Sequence, residues 1–164
     1  MTNLLRRAAA LAAMSTALVG GAILGTTPAS AATAPSSDAT FEARVVKLTN
    51  DNRVKNGCAA LRTEAKLTTA ARAHSADMVA KNYFSHTGKD GSTFLVRAKR
   101  AGYTTASAEN IAWGYRTPEA VVTAWMKSPG HKANILNCKS KSVGVGLAKK
   151  ADGTPYWTQM FGTV

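Results

Sequence analysis

Near residue 131 the spacing of apolar residues changes, and that change limits the fold more than any other feature of the chain. Upstream, apolar side chains recur at intervals of three and four: Phe41, Val45 and Leu48, with Asn52 on the same face, then Leu67, Ala70, Ala71, His74 and Met78, then Val121, Val122 and Trp125. This is the period of helices that bury one face. Downstream, Val143, Val145 and Leu147 alternate with small residues. After an Asp152-Gly153 turn, Tyr156 to Phe161 alternates again. That is the pattern of a β-hairpin. Helices that precede strands, instead of alternating with them, predict an α+β domain built in layers.

Local signals set the expected boundaries. Helix one is capped by Asp38 or Thr40 and stopped by Gly57, and helix two runs from about Ala65 to Lys81. Phe94, Ala98 and Ala101 predict a short third helix closed by Gly102. Thr117-Pro118-Glu119 opens a fourth with a capping hydroxyl, Pro at the first helical position and an acid in the first turn. Ser128-Pro129-Gly130 is read as its end. There is no internal repeat and no heptad run.

The N-terminus bounds the compartment. Arg6 and Arg7 precede an apolar run from Ala8 to about Leu24, and Ala29-Ser30-Ala31 supplies small residues at a cleavage position, which predicts a signal peptide over residues 1–31 cleaved after Ala31. The run is short for a bilayer and no second apolar segment follows, so the expected product is exported and extracellular, with no transmembrane anchor. Residues 32–40 read as a flexible tail and 41–164 as one domain, expected to be a monomer. Cys58 and Cys138 are the only cysteines, an even count in an exported chain, and predict one disulfide. Neither has a Cys or His at zinc-finger spacing. The formal net charge of +12 favours loose association with anionic polymers such as nucleic acid or a cell wall. The basic residues are scattered, which argues against a specific nucleic-acid site.

The candidate chemistry rests on few residues. His74 lies on the apolar stripe of helix two and reads as a packing residue. His86 falls in the Ser/Gly/Asp-rich stretch NYFSHTGKDGST after that helix, and His131 follows the Ser128-Pro129-Gly130 break. Glu109 sits among apolar residues in SAENIAWGY, where a carboxylate needs a partner. Two histidines and a glutamate suit a divalent metal such as zinc, or acid and base work on a phosphodiester, and equally they suit surface histidines. No HExxH segment and no Asp-backed triad decides among these.

The ordered segments NYFSH, AENIAWG, AWMKSPGHKANIL, VGVGLA and YWTQMFG resemble the bacterial branch of the CAP superfamily, named for cysteine-rich secretory proteins, antigen 5 and pathogenesis-related proteins. The resemblance covers about Phe41 to Gly162. It implies a three-layer α-β-α sandwich with a small antiparallel sheet between helices, and a cavity lined by a His/Glu/Glu/His set. His86, Glu109 and His131 match three members of that set. Ser128 stands where the second glutamate falls, which lowers the negative charge available to a metal at His86 and His131. Relatives that bind sterols or lipids imply a non-enzymatic binding module, for a small apolar or amphipathic ligand or an anionic cell-wall component. The alternative is a metal-dependent extracellular hydrolase or peptidase using His86, Glu109 and His131.

Overall fold

The computed structural model describes residues 36–164, so the expected signal peptide and its cleavage position lie outside the described residues. Five helices and four strands follow in the order α1 (Ser37–Lys55), β1 (Arg62–Thr63), α2 (Ala65–Ala80), α3 (Phe94–Arg100), β2 (Ala106–Trp113), α4 (Pro118–Lys127), α5 (Pro129–Ile135), β3 (Ser142–Lys149) and β4 (Pro155–Gly162). The strands form one sheet in the order β1-β3-β4-β2, with β4 antiparallel to both β3 and β2 and the two-residue β1 parallel to β3. The expected α+β sandwich is therefore present, with a sheet that is mixed at one edge.

Strand alternation sorts the two faces. Val143, Val145 and Leu147 of β3, Trp157 and Phe161 of β4, and Ala108 and Ala112 of β2 share one core with Val45 of α1, Trp125 of α4 and Ile135 of α5. Met160 of β4 packs with Leu67, Ala70 and Ala71 of α2 and Ala98 of α3 on the other face. Glycines 144 and 146 of β3 let α2 lie directly on the sheet, because a Cβ at either would collide with the helix backbone at Leu67–Thr68 or Ala71–Arg72.

Several boundaries differ from expectation. Helix α1 begins at Ser37 with Ser36 as its cap, so the expected tail over 32–40 is already helical in its last four residues, and neither Asp38 nor Thr40 is the cap. The segment after Ser128 is not a loop but the first turn of α5, with Pro129 at the helical position where its missing N–H costs nothing. Strand β2 had no signature, because its central residues are buried on both faces and alternation is lost.

The chain after α5 is fixed by two ties. Cys58 and Cys138 form the expected disulfide, their Cα atoms 5.0 Å apart. Beside it Arg53, fully buried, donates Nε to the Ala59 carbonyl, Nη1 to those of Ile135 and Asn137, and Nη2 to that of Ser140. A guanidinium has five N–H donors, and here they join four carbonyl groups from the segments on either side of the disulfide.

Candidate functional site

Strand β2 is a sheet edge, and the candidate residues gather around it. Its outward carbonyls are capped from the helices: Trp125 Nε1 donates to Ile111 O at 3.2 Å, and Asn134 Nδ2 to Glu109 O at 3.3 Å. These bonds occupy two carbonyls of the row that an edge strand otherwise presents to other chains.

Consecutive residues of a strand point to opposite faces, so Glu109 and Asn110 tie down the two halves of the site. On one face Glu109 is buried. Its Oε1 accepts from His86 Nδ1 at 2.9 Å and its Oε2 from Arg97 Nη2 at 2.7 Å. Arg97, from α3 and itself buried, also donates Nη1 to Ser92 O and Nη2 to His86 O, which fixes the loop that carries the histidine. On the other face Asn110 Nδ2 donates to His131 O at 3.3 Å, and Asn110 Oδ1 accepts from Asn134 at 2.8 Å. One dipeptide thus anchors the His86 loop and the His131 helix.

The two imidazoles differ electrically. The Glu109 carboxylate accepts from His86 Nδ1, so that ring nitrogen carries a hydrogen. His131 Nδ1 meets Ser128 Oγ at 2.8 Å. Burial, and then the proximity of His86, push the His131 pKa below its ordinary value, so this ring is neutral at pH 7. His74 is a packed histidine, as its stripe implied. It is nevertheless not remote from the set: its Nε2 donates to Ser85 O at 3.0 Å, next to His86.

Beyond His131 opens a cleft of about 410 Å³ lined by Phe84, Trp113, Tyr115, Trp125, Ser128 and His131. Phe84, Trp113 and Tyr115 are 44%, 55% and 40% exposed. Phe84 meets Trp113 edge-on at 6.4 Å, and Trp113 stacks on Tyr156 at 6.5 Å. The rings support one another while their outer faces stay open.

Zinc fits these residues poorly. The two Nε2 atoms are two donors, but both oxygens of Glu109 are engaged and the Arg97 charge already balances its carboxylate. Ser128 supplies a hydroxyl that His131 occupies. Among the described residues no three His, Cys, Asp or Glu side chains gather as a metal site.

The profile of the family described as "CAP: Cysteine-rich secretory protein family" matches residues 46–161, which span every one of these side chains. The chain belongs to the CAP family. It is 45% identical to protein YkwD of Bacillus subtilis (strain 168) over 78% of its own length and 49% of that protein's. To the membrane protein YlbC of the same organism it is 37% identical, over 74% of its own length and 34% of that protein's. The chain therefore spans half or less of these relatives. Among solved structures, an extracellular protein containing a SCP domain from Bacillus anthracis str. Ames superposes with a TM-score of 0.71 at 28% identity, covering 81% of this chain and 45% of that one. An outer surface protein of Borrelia burgdorferi shares the fold at a TM-score of 0.66 and 22% identity, covering 73% of this chain and 89% of that one.

Sequence reasoning missed Arg97, Asn110, Asn134 and the aromatic rim. Asn110 and Asn134 lay inside the quoted motifs without a role. Arg97 drew no reading, because nothing in the sequence sets it apart from Lys99 and Arg100, and only its packing against Glu109 distinguishes it.

Proposed function

We propose that this CAP domain is an exported, non-enzymatic binding module that holds a small amphipathic ligand in the cleft beside His131. The observation that carries the reading is the set of Phe84, Trp113 and Tyr115, open to solvent around a cavity that Ser128 and His131 also line. Burying such rings is worth about 25 cal/mol per Å² of apolar area removed from water. The polar end would orient the ligand head. Export is supported by the leader-like N-terminus and by the disulfide, which persists in oxidising compartments. Among the described residues no helix is long and apolar enough to cross a membrane. The basic surface suits residence beside an anionic wall polymer.

Tryptophan fluorescence tests this directly, since Trp125 and Trp157 are buried and Trp113 is the exposed indole. Lauric acid titrated into the protein should shift Trp113 emission to the blue and protect it from acrylamide, with saturation. Phe84→Ser should weaken the response. Unchanged emission and quenching at saturating lauric acid would refute the reading.

The second reading, a hydrolase, is favoured by the His86–Glu109 pair, in which a carboxylate orients an imidazole as a general base does. Hydrolysis of an ester or peptide by the purified protein, lost in His86→Asn, would support it.

A further inference from the structure

Two amides lie within the apolar core that faces α1, α4 and α5. Asn110 of β2 and Gln159 of β4 stand directly opposite each other in the ladder, and strand alternation puts them on the same face as Ala108, Ala112, Trp157 and Phe161. Both are 0% exposed, as is Thr49 of α1. An apolar pair would fill this place without stripping water from polar atoms, so the amides carry a desolvation cost that their bonding must offset.

The bonding fixes the direction of each amide in turn. Asn134 Nδ2 donates to the Glu109 carbonyl, which can only accept, and the same nitrogen donates to Asn110 Oδ1 at 2.8 Å. The two hydrogens of Asn110 Nδ2 then go to His131 O at 3.3 Å and to Gln159 Oε1 at 3.1 Å. Gln159 Nε2 in turn donates to Thr49 Oγ1 at 2.8 Å. A chain of buried side chains thus runs from α1 through β4 and β2 to two residues of α5, His131 and Asn134. Gln159 itself is sealed in the core and does not line the cleft. Without its oxygen, one Asn110 hydrogen has no acceptor in a site closed to water. An unpaired buried donor costs more than the bond that was lost, so Asn110 must turn to find a partner and loosen its hold on α5.

We infer that Gln159, braced by Thr49, is a positioning residue for the cleft: through Asn110 it sets where α5 holds His131 beside Ser128. Its effect on ligand affinity rests on the binding reading above. Its effect on the His131 ring does not.

The chain has three histidines, so the ring resonances of ¹⁵N-histidine-labelled protein are assigned by substitution. Ligand-free spectra at pH 7.5 compare wild type with Gln159→Met, which keeps an unbranched side chain and removes its polar atoms, and with Thr158→Val. Thr158 is the preceding residue of β4 and equally buried, but its hydroxyl accepts from Ser75 on the opposite face, so its loss weakens the core without touching the amides. Gln159→Met should move the His131 ring resonances, and should weaken lauric acid binding roughly three- to tenfold, the factor that one net hydrogen bond is worth. Thr158→Val should leave His131 where it is. If circular dichroism shows Gln159→Met unfolded, Thr49→Val carries the comparison, because it removes only the hydroxyl that Gln159 uses; a smaller shift of His131 is expected. His131 resonances unmoved in the folded variant, or moved as far by Thr158→Val, would overturn the inference. Failure of lauric acid to bind the wild type refutes the binding reading alone, since the ring is observed without ligand and decides the positioning by itself.

Discussion

Removing the Glu109 carboxylate should expose how much of the domain depends on the pair beneath His86. Arg97 is 8% and Glu109 1% exposed at the side chain, and their contact is 2.7 Å. Breaking a buried ion pair by deleting one partner costs about 3–5 kcal/mol, because the other charge stays buried. Glu109→Ala should fall in that range. Glu109→Gln should cost less, about 2–3 kcal/mol, since the amide oxygen still accepts one bond and Arg97 keeps the Ser92 and His86 carbonyls. Against a total stability of roughly 5–15 kcal/mol, either loss is large. The decisive comparison adds Arg97→Met to Glu109→Leu. Replacing both charges with apolar groups removes the orphan, so the double variant should be more stable than the two single losses predict, by about 2 kcal/mol. Urea unfolding at pH 7 with matched m-values measures all three. Additivity within about 0.5 kcal/mol would refute the view that Glu109 and Arg97 act as one buried unit.

Reduction of the Cys58–Cys138 bridge, which joins residues 80 apart in sequence, should lower stability by about 2–4 kcal/mol and depress Tm visibly in a calorimeter; an unchanged Tm would contradict the tie between α1 and the segment before β3. His74 and His131 both have pKa values pushed below the ordinary 6.5, mainly by burial, so the unfolded chain binds protons more readily than the folded one. Their contribution is complete above about pH 6.5 and is lost as pH falls below it, so Tm should drop between pH 7 and pH 5, and less steeply in His74→Phe. Zinc titrated calorimetrically at pH 7.5 should bind weakly at most, and Ser128→Glu should strengthen binding by placing a carboxylate beside His131, an effect lost in His131→Ala.

Helices α1 to α4 and the β3–β4 hairpin were legible because each buries one face or alternates in its apolar residues. Strand β2 was not, since a strand covered on both faces and edged by Trp125 and Asn134 has no reason to alternate. Helix α5 was hidden by Ser128-Pro129-Gly130, a sequence that serves a turn and a helix start equally well. The site residues His86, Glu109 and His131 were named from resemblance, while their bonding came only from the fold. That Glu109 gives one oxygen to His86 and the other to Arg97 depends on a contact between residues 12 apart on different elements, which no local pattern encodes. The aromatic rim was likewise split between two segments, Phe84 in one and Trp113 and Tyr115 in the other, and gathers only when the end of β2 and the His86 loop are laid together.

Native mass spectrometry of the protein recovered from culture medium tests the binding account most directly. The account predicts a chain with one disulfide, carrying a noncovalent organic adduct that is lost when Phe84 and Trp113 are both replaced by Ser. A bare chain with stoichiometric zinc, or an adduct that survives both replacements, would contradict it.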